Sequence, residues 1–296
     1  MTETTRGSGG ASGAGLDRDH FLVSTDWLAA HLDDPTIRIV DCRYYFDGRV
    51  GRDEYAKGHL PGAVYLDWST ELATKQDPIA FKVARGEQVK APMERLGVGD
   101  DTTIVGYDDE GGHFVSRLWL VLARHGHGDR VKTLEGGITK WQREGRPLTT
   151  EPPTPRPAAF TPRDADQDML VTAEQVLELK NDPNTVVVDV RRLTEYTGEE
   201  ARAKRGGRIP GSTWILWQDN LDWSGDRSLR PADEIRARYE SAGVTPDKQV
   251  ITYCQGAVRA AHTALTLKML GYDNVRVYDG SWEEWGNRDD LPIEKG

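Results

Sequence analysis

Cysteine is nearly absent: Cys42 and Cys254 are the two in 296 residues. A disulfide scaffold needs more of them in a smaller chain, so that class is excluded. Neither cysteine stands in a Cys-x-x-Cys pair or at metal-ligand spacing, so no metal site is expected. A basic surplus is missing too. Lys plus Arg number 38 against 48 Asp plus Glu, a net charge of -10. Nucleic acid and anionic membranes recruit basic surface, so neither is expected as a partner. No apolar run approaches the ~18 residues of a spanning helix. The N-terminal MTETTRGSGGASGAG also lacks the apolar stretch of a secretory signal. Residues 1–21 therefore read as a disordered polar tail, and a reducing, cytoplasmic setting is expected.

What the chain does have is a copy of itself. LVSTDWLAAHLDDPTIRIVDCR (22–43) corresponds to LVTAEQVLELKNDPNTVVVDVR (170–191). HLPGAVYLDW (59–68) corresponds to RIPGSTWILW (208–217), and TTIVGYDD (102–109) to KQVITYCQ (248–255). LEGGITKW (134–141) corresponds to YDGSWEEW (278–285). The Pro-rich stretch 149–168 between the copies reads as an extended, stiff linker. The expected domains are thus 22–148 and 169–296, each of ordinary size. Short apolar runs alternate with helical patterns, which predicts an α/β fold in each copy. In the second copy strands are expected near 186–190, 213–216, 249–253 and 275–278. Helices are expected over 172–181, 231–242, 259–270 and 281–286. That alternation implies a mainly parallel sheet with helices on both faces.

In such folds ligands sit where strands end and helices begin. The segment QVITYCQGAVRAAHTALTLKMLG delivers Cys254 at that place. A loop of Gln255, Gly256, Ala257, Val258 and Arg259 leads from it into a helix. Backbone N–H groups of such a loop, with the helix dipole, favour an anion, hence a thiolate and an anionic persulfide. The alternative is that Cys254 is a small buried apolar residue. The duplication favours reactivity, because Asp108 takes its place in the first copy, so the fold does not need the cysteine for packing.

The duplicated domain, the Asp-x-Arg strand end, the "[HR]-[IL]-P-G" turn, the Cys loop and the "[DG]-G-x-x-x-W" segment together resemble the rhodanese family. They are most similar to its two-domain thiosulfate and 3-mercaptopyruvate sulfurtransferases, whose first domain lacks the cysteine. The resemblance implies two tandem rhodanese-like domains, with Cys254 through Arg259 as a persulfide-forming loop and no cofactor or metal. It implies a small anionic sulfur donor and, as acceptor, cyanide or a thiol, including a protein thiol. The loop Cys-Gln-Gly-Ala-Val-Arg matches neither the thiosulfate pattern Cys-Arg-Lys-Gly-Val-Thr nor the mercaptopyruvate pattern Cys-Gly-Ser-Gly-Val-Thr, so the donor stays open between the two. A substrate-binding arginine common in the family is replaced by Glu195. The anion site is then expected to rest on Arg259, Arg191 or Arg192. Arg191 has a twin, Arg43, in the cysteine-free copy, which favours an internal salt bridge.

The remaining candidates carry plainer readings. Trp68, Trp141, Trp217 and Trp285 recur in both copies and are expected in the core or the domain interface. Trp214 and Trp223 are less symmetric but are also assigned to packing. His262 reads as a packed or solvated helix residue rather than a general base. His113 and Arg117 are expected near the interdomain cleft. The charged stretch 198–208 is expected to be solvated beside the active-site mouth. A cysteine-dependent phosphatase is the rival enzyme, but its phosphate loops hold five residues between Cys and Arg, and here there are four. A non-catalytic binding module is the rival from another class.

Overall fold

The computed structural model describes residues 16–74, 77–165 and 167–296. Most of the expected tail, residues 1–15, lies outside them. Its last part is ordered: Arg18–Phe21 form a short helix, Leu16 packs on the core, and Asp17 N–H donates to Met269 O at 2.8 Å.

Each copy builds one parallel five-stranded sheet. The strands of the first are β1 (Leu22–Val23), β2 (Ile37–Asp41), β3 (Val64–Tyr65), β4 (Thr103–Tyr107) and β5 (Val131–Leu134), in the order β1-β5-β4-β2-β3. The second holds β6 (Leu170–Val171), β7 (Thr185–Asp189), β8 (Thr213–Trp214), β9 (Gln249–Tyr253) and β10 (Val275–Tyr278), in the order β6-β10-β9-β7-β8. The register repeats as well: Asp41 pairs with Tyr107, and Asp189 with Tyr253. β4 and β9 lie at the centre, buried on both faces, which is why both read as short apolar runs.

Local chemistry starts the flanking helices where the pattern placed them. Ser24 Oγ accepts the N–H of Trp27 at 3.0 Å, and Thr172 Oγ accepts that of Gln175 at 3.3 Å. The strand ends are tied by matching ion pairs. Arg43 Nη2 meets Asp41 Oδ2 at 2.6 Å and donates to Gly58 O at 2.9 Å. Arg191 Nη2 meets Asp189 Oδ2 at the same 2.6 Å and donates to Gly207 O at 2.7 Å. Arg191 is thus a brace between β7 and the following turn, buried to 1% exposure.

The two domains share a core. Helix His113–Arg124 of the first and Val258–Met269 of the second pack against each other. Both are buried almost all round, as a helix at an interface between layers must be. The linker is irregular between 150 and 165, but it is anchored rather than free. Phe160 is 2% exposed and joins the core, and Thr161 N–H donates to Asp100 Oδ1 at 2.7 Å. No helix among the described residues is long and apolar enough to cross a membrane.

Removing one partner of a buried ion pair leaves the other charge unsatisfied. Arg191→Met is expected to cost about 3–5 kcal/mol of stability, read by urea denaturation. The KM for a sulfur donor should not change in the folded fraction; a raised KM at unchanged stability would make Arg191 a binding residue.

Candidate active site

Strand β9 ends at Tyr253, and the chain turns at once into the helix Val258–Met269. Cys254 sits at that turn with 1% exposure, at the base of a cavity of about 210 Å³. Gln255, Gly256, Val258 and Arg259 line the cavity with it. Ala257, which replaces a usual glycine, caps the helix in the left-handed region with φ 59°. The other cysteine, Cys42, is buried away from this cavity, and burial pushes its thiol up.

The first domain contains a related turn, one residue longer, with a different side chain in it. Asp108 stands at the end of β4, where Cys254 stands at the end of β9. Its carboxylate accepts four backbone N–H groups: Glu110 at 2.9 Å, Gly112 at 2.8 Å, Phe114 at 2.7 Å and Val115 at 3.2 Å. Two of these belong to the first turn of helix His113–Arg124. Burial still raises the Asp108 carboxyl to about 6, against the pull of those donors. The corresponding first turn of Val258–Met269 leaves the N–H groups of Val258, Arg259 and Ala260 without intrahelical partners. In the first domain the turn is an anion cradle filled by a resident carboxylate, and in the second Cys254 stands at the corresponding strand end.

The charged side chains beside the turn are tied to one another. Arg259 Nη1 and Nη2 hold Glu195 at 2.7 Å and 3.0 Å. Arg192 Nε and Arg202 Nη1 reach the same carboxylate at 3.2 Å and 3.7 Å, and Arg192 also pairs with Glu200 at 2.5 Å. Burial opposes ionisation of Glu195, but the hydrogen bond and charge of Arg259 win and hold its carboxyl down at about 2. Arg259, expected from the sequence to serve the anion site, lines the cavity with Cys254 and is also the partner of Glu195. The two departures from the family pattern compensate each other. Arg191 does not line the cavity; Arg192 does, at its mouth.

The first domain supplies the facing wall. Phe46, Phe81, Glu110 and His113 line the cavity, and Trp217 closes it from the second domain. His113 Nδ1 lies 2.7 Å from Glu110 Oε2, and its ring lies 4.3 Å from that of Trp217. Trp217 therefore serves the site as well as the core, whereas Trp68, Trp141 and Trp285 are fully buried in packing. Trp214 and Trp223 do not line the cavity; Trp223 backs Trp217 edge-on at 5.5 Å. His262 is 3% exposed, and burial lowers its ring to about 3, so it is a neutral packed residue. The 198–208 stretch is only partly solvated. Arg202 reaches the mouth, but Arg205 ties down the Leu291 carbonyl at 3.0 Å, and Gly206, Gly207 and Arg208 are buried. Phe46, Phe81 and Glu110 carried no sequence signal, since each reaches the site only through domain packing. Ser281 carried no sequence signal either, and its Oγ accepts the N–H of Cys254 at 3.2 Å.

Comparison with known proteins agrees with the duplicated fold. The Rhodanese-like domain model matches residues 24–144 and again 172–288. The sulfur carrier protein TtuD of Thermus thermophilus is 37% identical, covering 95% of this chain and 99% of that protein. The thiosulfate sulfurtransferase of Azotobacter vinelandii is 37% identical over 90% of this chain and 94% of its own. The crystal structure of SseA from Escherichia coli, a 3-mercaptopyruvate sulfotransferase, superposes with a TM-score of 0.80 at 30% identity, covering 88% of this chain and 98% of that one.

A folded-state carboxyl lowered from 4.5 to about 2 stabilises the fold above pH 4.5 and loses that contribution as pH falls towards 2. The stability gap between wild type and Glu195→Gln should therefore be full at pH 6 and close progressively in acid denaturation below pH 4.5. A gap independent of pH would dissolve the Glu195–Arg259 tie.

Proposed function

This chain belongs to the rhodanese family of sulfurtransferases, and from that premise we propose that it carries sulfane sulfur from a small anionic donor to cyanide or a thiol as a persulfide on Cys254. One observation carries the reading: the turn that holds Cys254 has a twin whose backbone N–H groups already bind a carboxylate, that of Asp108. A thiolate and a persulfide are both anions, and either would take that place.

The chemistry is a double displacement. The Cys254 thiolate attacks the outer sulfur of thiosulfate, the donor's S–S bond breaks, and sulfite leaves with the electron pair. The outer sulfur stays on Cys254 as a persulfide. Cyanide or an acceptor thiolate then attacks that sulfur, and the Cys254 thiolate returns. The cradle is formed by main-chain dipoles fixed before reaction, so little reorganisation is needed when charge moves onto the sulfur. Gln255 Nε2 donates to Arg202 O at 3.0 Å and Glu283 Oε2 at 2.8 Å, which ties the loop to the cavity rim.

Thiosulfate is the first reading for the donor, as for the Azotobacter relative. The second is 3-mercaptopyruvate, supported by the rings of Phe46, Phe81 and Trp217, which offer contact to a carbon skeleton, and by the likeness to SseA. A phosphatase reading is disfavoured because Arg259, which would have to clamp phosphate, is committed to Glu195. We place the protein in the cytoplasm on the strength of its two unpaired cysteines.

After treatment with thiosulfate or 3-mercaptopyruvate, intact mass should rise by one sulfur and map to Cys254. Cys254→Ser should show no gain and no turnover. The ratio of kcat/KM for the two donors assigns the substrate. A folded wild type that gains no sulfur from either donor would reject the transfer reading.

A further inference from the structure

Ser281 occupies backbone space that serine rarely enters, with φ 49°. Its twin in the first domain is Gly137, with φ 56°, and a Cβ there would meet the Asp108 carbonyl oxygen at 2.0 Å. The second domain accepts a side chain at this place and uses it. Ser281 Oγ accepts the N–H of Cys254 at 3.2 Å and the N–H of Ala257 at 3.1 Å, and donates to Tyr278 O at 2.9 Å. One hydroxyl thereby fills its donor and both acceptor positions, and it joins the two ends of the turn from behind.

The comparison with the first domain shows what this achieves. There the N–H of Gly112, the left-handed cap, goes to the Asp108 carboxylate at 2.8 Å. Ala257 is the left-handed cap of the second domain, and its N–H goes to Ser281 instead. Cys254 cannot hold its own turn in place as Asp108 does. Ser281 supplies that support from the opposite side and leaves the cradle to the sulfur. Two further bonds join the same segments: Trp282 N–H to Cys254 O and Glu283 N–H to Gln255 O, each at 2.9 Å.

The segment that carries Ser281 is itself held by the other domain. Asp279, two residues earlier, receives Arg117 Nη1 at 3.2 Å and Val83 N–H at 2.9 Å. Arg117 is fully buried and also donates to the Phe81 carbonyl. The Phe81 ring lies against Gly256, where an added Cβ would meet it at 3.1 Å.

We propose that Ser281 is the positioning residue of the Cys254 turn, and that the cysteine-free domain fixes it through the Arg117–Asp279 ion pair. The proposal deepens the reading of Cys254 as sulfur carrier and rests on it. The cysteine-free domain is then a working part of the site, holding the scaffold on which the nucleophile's loop rests.

The test uses full-length Ser281→Gly, which tolerates the backbone angle, with Ser281→Thr as the conservative rescue and Asp279→Asn for the interdomain arm. Two readouts are taken: the rate of Cys254 alkylation by iodoacetamide, and kcat and KM separately. Ser281→Gly is expected to lower both the alkylation rate and kcat by about ten- to a hundred-fold, with donor KM little changed, because a displaced loop misplaces reacting atoms. Ser281→Thr should recover most of the loss, and Asp279→Asn should show a smaller loss of the same kind. A folded Ser281→Gly protein with wild-type alkylation and kcat overturns the proposal. Wild-type values in Asp279→Asn overturn its interdomain part. Should Ser281→Gly fail to fold, Ser281→Ala takes its place with the same readouts, and wild-type values there overturn the proposal equally. If wild type transfers no sulfur but Ser281→Gly still slows alkylation, the transfer reading fails and the positioning role stands.

Discussion

A short turn between a central strand and a helix leaves several N–H groups without helical partners, and acceptors must meet them. The rest of this molecule is arranged around that constraint. In the first domain the answer is internal: Asp108 folds back and satisfies four donors with its own carboxylate. That domain is electrostatically complete and has no place for a substrate anion in its turn. In the second domain a cysteine stands there, and its sulfur cannot satisfy so many donors. The shortfall is divided. Ser281 takes two N–H groups from behind, and the helix start remains for the sulfur.

The charged side chains obey a different rule. A buried carboxylate is tolerated only with partners, and Glu195 is ringed by Arg259, Arg192 and Arg202. Arg259 also interacts electrostatically with Cys254, and rings from both domains line the cavity. The first domain contributes Phe46, Phe81, Glu110 and His113 to that rim, and braces the loop segment through Arg117. Without a cysteine of its own in the turn, this domain forms the facing wall of the cavity.

Much of this is legible in the chain itself, wherever the controlling physics is local. Asp-x-Arg at two strand ends marks a local pair, and both ion pairs form at 2.6 Å. The strand–Cys–loop–helix order places Cys254 at a helix start because N–H satisfaction is decided within a few residues. Arg259 defeats such a reading, since its partner Glu195 lies 64 positions away and nothing local joins them. Ser281 reads in the sequence as one letter of a repeated segment. Its left-handed backbone and its contact with Cys254 exist only once β9 and β10 lie side by side.

The sequence by itself determined the duplication, the α/β layering, the strand ends and the place of Cys254 at a helix start, because periodicity, capping and turn chemistry act over short separations. Only the tertiary structure decided which carboxylate pairs with Arg259, which rings wall the cavity, and which hydroxyl meets the loop. Those outcomes depend on groups from distant segments meeting in a buried space, where each charge and each donor must find a partner that no nearby stretch of chain can name.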